Sequence, residues 1–287
     1  MLPSRFEYHR PATLEEALKL LSELDDAKVL AGGQSLIPVM KLRLAAPAHL
    51  VDINRVPGLD AIDEADGALR LGALARHNQI AGSDVVARHP MLAAAAPQIA
   101  DPIVRNLGTV GGSLAHADPA GDWGAVMLAA GASVLVRSAR GERELAMPEF
   151  LVDVFTTALE PDEILTQVRV PRPAGSSGGT YLKLERKIGD FATVGAAVQV
   201  VLSNGTISSA GIALTGVGST NIHATDAEAS LAGAEPTEAA FAEAGRLAAA
   251  ATNPVADVRG SAEYKRHVAD VFVRRGLAAA VEMARAA

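Results

Sequence analysis

The 287-residue chain contains no cysteine. Disulfides, thiolate zinc sites and iron–sulfur clusters held by its own cysteines are therefore excluded, and the composition suits a reducing cytosol. Aromatic residues make up only 3% of the chain and include a single tryptophan, so the core has to be built from Ala, Leu, Val and Ile. Basic residues are in deficit: 26 Lys plus Arg stand against 33 Asp plus Glu, for a net charge of −7. Nucleic-acid binding relies on basic patches that release counterions, and this balance argues against it. Long hydrophobic runs are missing too. The longest apolar stretch, Ala125 to Val136, is interrupted by Gly131 and Ser133 and is too short to cross a bilayer. The opening MLPSRFEYHR has no apolar signal region. The expectation is a cytoplasmic protein without membrane insertion.

What is present is the balance of a folded protein, 49% hydrophobic and 21% charged. Thr13 followed by Glu16 predicts a capping box, and Leu14, Ala17, Leu18, Leu21 and Leu24 form one apolar helical stripe. Ala27–Leu30 and His49–Ile53 read as strands, with a short helix over Leu36–Leu42 between them. Pro57-Gly58 marks a boundary. Beyond it, Leu69–Leu74, Ser133–Val136 and Ile164–Val170 read as strands. Gln79–Ala87, Met91–Ala100 and Trp123–Ala130 read as helices, the last one buried, and Asp101–Gly121 as an irregular Gly-rich stretch. Pro173–Gly179 is the best linker. Tyr181–Glu185, Val194–Leu202 and Ile207–Thr215 are β-rich, with an Asn204-Gly205 hairpin turn. Helices follow over Glu238–Ala251 and Glu263–Ala286. This order predicts an α+β fold with units at 1–57, 58–173 and 178–287.

Two Gly-rich loops carry the chemistry. Ala31-Gly-Gly-Gln-Ser35 follows a strand directly, and Thr109-Val-Gly-Gly-Ser113 lies within the irregular stretch. Glycine lets backbone amides approach a ligand closely, and consecutive amides at a turn make an anion nest. Such a pair suits the two phosphates of a dinucleotide; each loop alone reads equally well as a tight turn. Neither matches the Gly-x-Gly-x-x-Gly or P-loop patterns. The 7 histidines show no paired metal spacing, so no metal site is expected. Ser35 and Ser113 lack a nucleophile-elbow context, and Asp25-Asp26 and Arg274-Arg275 read as helix-surface charges.

The run Leu30-Ala-Gly-Gly-Gln-Ser-Leu-Ile-Pro38, with Lys41-Leu-Arg43 and His49-Leu-Val-Asp-Ile53, resembles the first FAD motif of the molybdenum hydroxylase flavoproteins. Arg105-Asn-Leu-Gly-Thr-Val-Gly-Gly-Ser-Leu-Ala115, with Asp118-Pro and Asp122, resembles their second. Arg186-Lys-Ile-Gly-Asp-Phe-Ala-Thr193 resembles the segment that reaches the flavin ring. The similarity spans nearly the whole chain in order. It is strongest to the free-standing medium subunit of the carbon monoxide dehydrogenase and xanthine dehydrogenase group.

The resemblance implies a two-subdomain FAD-binding module of the vanillyl-alcohol-oxidase/PCMH type, followed by a C-terminal antiparallel sheet with helices. It implies FAD contacts along the first motif at Val29, Leu30, Ala31, Gly32, Gly33, Gln34, Ser35 and Leu36, the backbone amides of Ala31 to Ser35 meeting the pyrophosphate. Ile99 and Ala100 fall at the adenine end. Thr109, Gly111, Gly112 and Ser113 complete the phosphate cradle, with His116 close by unless it is merely solvated. Asp122 accepts from a ribose or ribityl hydroxyl, and Leu165 and Lys183 lie near the flavin. Phe191 stacks over the ring; its competing reading is an ordinary core phenylalanine. Gln34 departs from the histidine that some members carry there.

The activity implied is that of an electron-transfer subunit. FAD carries the redox chemistry, while molybdopterin and [2Fe–2S] reside on large and small partner subunits, in a dimer of heterotrimers. Two rivals stand beside this: a stand-alone FAD oxidoreductase of the same fold, and a non-catalytic assembly protein whose glycines only shape turns. The substrate, whether CO, an aldehyde or an N-heterocycle, is not specified by this chain, nor is the terminal acceptor.

Overall fold

The computed structural model describes residues 2–287. The N-terminal part comprises β1 (Glu7–His9), α1 (Leu14–Glu23), β2 (Ala27–Leu30), α2 (Leu36–Lys41) and β3 (His49–Asp52). Its three strands form a parallel sheet in the order β1-β3-β2. Thr13 Oγ1 caps α1 by accepting from the Glu16 amide at 3.2 Å. The Glu16 carboxylate reaches back to the amide of Ala12, one residue beyond the expected capping box. Leu14, Ala17, Leu18 and Leu21 pack on Val51 and Ile53, which fastens α1 to the sheet. Leu24 falls at the C-cap and is only half-buried.

The middle part begins with β4 (Ile62–Ala65), β5 (Ala68–Gly72), α3 (His77–Ala81), α4 (Pro90–Ala95), α5 (Pro102–Leu107), α6 (Val110–His116) and α7 (Asp122–Ala129). It continues with β6 (Ser133–Ser138), β7 (Gly141–Ala146), α8 (Met147–Phe150), β8 (Leu151–Asp153), β9 (Thr156–Thr157) and β10 (Ile164–Pro171). A five-stranded antiparallel sheet runs β4-β5-β10-β6-β7. As expected, α7 is buried along its whole length.

The stretch from Asp101 to Gly121 differs from expectation, because it holds two short helices. Asp101 caps α5 and Thr109 caps α6, each side chain accepting the amide three residues on. Glycine disfavours helix, but here packing overrides propensity: a Cβ on Gly111 would lie 2.5 Å from the Cβ of Ala73, so the glycine lets α6 seat against the chain after β5. The two preceding helices are shorter than the sequence predicts. α3 stops at Gly82, and α4 passes into a 3₁₀ turn over Ala96–Gln98 that contains Pro97.

The C-terminal part consists of β11 (Ser176–Leu184), β12 (Val194–Ser203), β13 (Thr206–Thr215), β14 (Ile222–His223), α9 (Thr225–Leu231), α10 (Glu238–Ala250) and α11 (Ala262–Ala286). Its antiparallel sheet runs β11-β12-β13-β14. Asn204 and Gly205 both have positive φ, as the hairpin signal requires. The predicted linker is shorter than expected, since Ser176 to Gly179 already pair with Leu202 to Gln199. A Cβ on Gly178 would lie 2.0 Å from the Ala280 carbonyl, so this glycine serves close packing of α11 on the sheet.

The middle and C-terminal parts share α7. A Cβ on Gly211 of β13 would lie 1.9 Å from the Ala129 carbonyl, which sets helix and strand backbone to backbone. Asn221 Nδ2 donates to the Gly121 carbonyl at 3.1 Å, and Thr215 Oγ1 donates to it at 2.8 Å. These bonds fix the start of α7, where Asp122 stands.

Candidate cofactor site

The first Gly-rich loop leaves β2 and turns into α2. Gly33 has φ +71, a conformation that favours glycine. Among the described residues, no carbonyl or side chain accepts from the backbone amides of Ala31 to Leu36. This run of six donors is half-buried. Ser35 sits at the start of α2 without making a side-chain cap, which leaves its hydroxyl free. The Gln34 side chain turns back on its own loop, its Nε2 donating to the Gly32 carbonyl at 3.3 Å.

The second loop lies against the first. A Cβ on Gly32 would lie 2.4 Å from the Leu107 carbonyl oxygen, and one on Gly112 would lie 3.7 Å from the Cβ of Ala31. Four of its five amides are used within the protein. Val110 and Gly111 donate to the carbonyls of Ala75 and Ala73, Gly112 to Thr109 Oγ1, and Ser113 to the Thr109 carbonyl. Thr109 is buried. The two loops thus divide the work: the first presents a run of free donors, while the second supplies a wall and keeps its amides from Val110 to Ser113 for itself. Spacing alone did not reveal this asymmetry.

Two residues that the sequence reading passed over brace the cradle. Asn54 Nδ2 donates to the Ala31 carbonyl at 2.7 Å and to Asp52 Oδ1 at 2.6 Å. Arg76 spans both loops, donating from Nη2 to Asn54 Oδ1 at 2.5 Å and from Nη1 to the Leu107 carbonyl. Burial lowers the Arg76 pKa from its ordinary value, and the carboxylates of Asp52 and Asp60 oppose that shift. A cation beside free amides adds to an anion site. Their signal in the sequence was only a lone Asn just after β3 and a lone Arg just before α3. Behind them, Trp123 Nε1 donates to His77 Nδ1 at 3.0 Å. Tryptophan only donates, so the proton of the neutral imidazole lies on Nε2.

The C-terminal part packs on the middle part next to α5. Gly189, φ +84, brings the 186–191 loop against Ala100 and Asp101: a Cβ there would lie 2.9 Å from the Asp101 amide nitrogen. Ala100 itself has φ +51. Arg105 Nη1 holds the carbonyls of Ile99 and Ala100 at 3.1 and 2.5 Å. Phe191, on the same loop, is 49% exposed, which rules out the core reading. Lys183 Nζ donates to the Gln98 carbonyl and to Asp122 Oδ2, both at 3.0 Å. Tyr181 donates to Asp122 Oδ1 at 2.5 Å. Burial raises the Asp122 carboxyl above its ordinary pKa, while Lys183 and Tyr181 pull it back. Both carboxylate oxygens are therefore committed inside the protein, and Asp122 acts as a post for Lys183. Oε2 of neighbouring Glu185 is buried without a hydrogen-bond partner, 3.5 Å from Lys183 Nζ.

The remaining expected contacts are spread more widely. Leu165 is buried in the core at a bulge in β10. His116 lies at the end of α6 with its ring 5.1 Å from that of Phe155, and burial lowers its pKa. Val29 packs on the core of the first part, and Leu36 opens α2.

An anion held by free amides at a Gly-rich turn, next to an arginine, fits the pyrophosphate of FAD. The cradle lies between two subdomains, with a loop of a third part reaching over its neighbour. Fold and cradle together define a two-subdomain FAD-binding flavoprotein carrying a C-terminal sheet domain. The family model described as "FAD binding domain in molybdopterin dehydrogenase" matches residues 4–173, and "CO dehydrogenase flavoprotein C-terminal domain" matches 179–280. The chain belongs to this family of molybdenum hydroxylase flavoprotein subunits.

It is 43% identical over 282 residues to the carbon monoxide dehydrogenase medium chain of Hydrogenophaga pseudoflava, covering 98% of each chain. It is 39% identical to the nicotine 6-hydroxylase medium subunit of Paenarthrobacter nicotinovorans, covering 93% of this chain and 94% of that one. The solved carbon monoxide dehydrogenase of H. pseudoflava superposes with a TM-score of 0.96 at 45% identity, over 99% of both chains. The chain is thus an FAD-carrying oxidoreductase subunit.

Proposed function

We infer that this chain takes electrons from a [2Fe–2S] small subunit, whose molybdopterin-bearing partner oxidises the substrate, and delivers them to an external acceptor. The assembly is a cytoplasmic dimer of heterotrimers. The observation that carries this reading is the run of free amides from Ala31 to Leu36, walled by the second loop and braced by Arg76. Bound there, FAD supplies the exchange between one- and two-electron steps. The chain's own residues bind and orient it. Ala31 to Leu36 donate to the pyrophosphate, Ser35 and Ser113 add hydroxyls, and Arg76 adds charge. Ile99 and Ala100 line the adenine end. The 186–191 loop, anchored on Ala100 and Asp101, brings Phe191 to shield the flavin ring from water.

The absence of cysteine puts the iron–sulfur cluster on another chain. Ile103, Leu107, Ile188 and Phe191 are exposed apolar side chains on α5 and the loop that touches its start. An apolar edge of this kind beside a cofactor suits coverage by an electron donor. The relatives' names cite carbon monoxide and nicotine, so the substrate is set outside this chain.

The test uses the pure chain loaded with FAD. It should be reduced by dithionite and remain oxidised with CO, aldehydes or purines. Adding the iron–sulfur and molybdenum subunits should restore reduction by the substrate of the complex. Flavin reduction by any of these substrates in the single chain would establish the stand-alone oxidoreductase instead.

A further inference from the structure

The spacing of the histidines gave no reason to expect a metal site, yet the sheet register assembles a set of metal-ligand side chains. β1 pairs with β3 in parallel, Glu7 opposite His49 and His9 opposite Val51. Side chains two apart on a strand share a face, so Glu7, His9 and His49 lie together on one face of the sheet. His9 Nε2 and His49 Nδ1 are 3.1 Å apart, and His49 Nδ1 is 3.5 Å from Glu7 Oε2. All three ligand atoms lie within 4.8 Å of one another. The imidazole rings meet at 44°, with centroids 5.2 Å apart, so they approach tip to tip and do not stack flat.

We propose that Glu7, His9 and His49 bind a divalent transition-metal ion, Zn2+ foremost, which clamps the N-terminal edge strand β1 to β3. Zinc bonds of about 2.0–2.1 Å make a tetrahedron with edges of about 3.3–3.4 Å. The two measured separations, 3.1 and 3.5 Å, bracket that edge. Without an ion, one of the two facing nitrogens donates its N–H to the other; with the ion both present a lone pair, the donor ring moving its N–H to its far nitrogen. Two imidazoles and a carboxylate suit Zn2+ and Cu2+ over Mg2+ or Ca2+. The Glu7 side chain is 72% exposed and that of His49 20%, so the cluster opens to solvent on the carboxylate side, where water serves as the fourth ligand. β1 spans only three residues and pairs with a single strand, so a bond from each strand to one ion holds it where its ladder is short.

The experiment uses untagged, FAD-loaded protein in metal-free buffer. Equimolar Zn2+ should be taken up at one ion per chain and should raise the melting temperature. Co2+ in its place should give the visible bands of tetrahedral coordination. His9→Gln and His49→Gln keep polar side chains at these positions and should each lose uptake and the thermal shift, with flavin content and far-ultraviolet dichroism unchanged. Failure of the native chain to take up equimolar Zn2+, or equal uptake by both variants, would overturn the proposal.

Discussion

Lys183 of β11 and Asp122 of α7 form a 3.0 Å ion pair that is almost closed to water, the side chains being 1% and 6% exposed. The pair ties the C-terminal sheet to the middle part at the start of α7. Removing one partner of a buried pair strands the other charge, at about 3–5 kcal/mol. Asp122→Ala should therefore destabilise the protein by that amount in denaturant titrations. Replacing both residues, Asp122→Leu with Lys183→Met, should cost much less than the two single changes combined. Additive losses would show that the two side chains do not interact.

Gly33 tests the cradle. A Cβ there would meet Ile37 and Leu30 side-chain atoms at 3.2 and 3.3 Å and would be forced to φ +71. An L-residue in that conformation costs about 1–2 kcal/mol, a loss the fold can absorb. Gly33→Val should abolish flavin binding while far-ultraviolet dichroism stays native. A variant that purifies with full flavin content would show that this loop does not hold the pyrophosphate.

Phe191 should act on the flavin and hardly on stability. Its half-exposed ring predicts a change within about 0.5 kcal/mol for Phe191→Ala. Flavin fluorescence and the rate of reoxidation by oxygen should both change. A large loss of melting temperature with an unaltered flavin spectrum would mark the side chain as structural.

The elements with strong local signals were legible in the sequence: α1 through its cap and stripe, α7 through its unbroken apolar character, and the β12–β13 hairpin through Asn204-Gly205. The short helix α6 was hidden because Gly111, read as a loop former, makes room for the Ala73 backbone, and α5 because it spans only six residues between Asp101 and Gly108. Gly178 and Gly179 likewise looked like linker and are strand. In the site, the motifs located both Gly-rich loops, but not that Gly112 and Ser113 spend their amides on Thr109 while Ala31 to Leu36 keep theirs. Hydrogen bonds across 22 or 31 residues, such as those of Arg76, leave no local pattern.

His77 makes stability depend on pH. Burial lowers its pKa from 6.5 to about 4, and the neighbouring Arg105 and Arg76 push it the same way. The folded state thus binds its proton less readily than the unfolded chain does. The contribution of the neutral ring is fully present above pH about 6.5 and is lost as pH falls toward 4. A shift of this size is worth about 3 kcal/mol. His77→Gln keeps an acceptor for Trp123 and carries no titrating group. Unfolding free energies of the native chain should fall between pH 6.5 and 4 by about 3 kcal/mol more than those of His77→Gln. Parallel curves for the two proteins would mean that the imidazole protonates without resistance in the folded state, and that its bond from Trp123 does not hold it neutral.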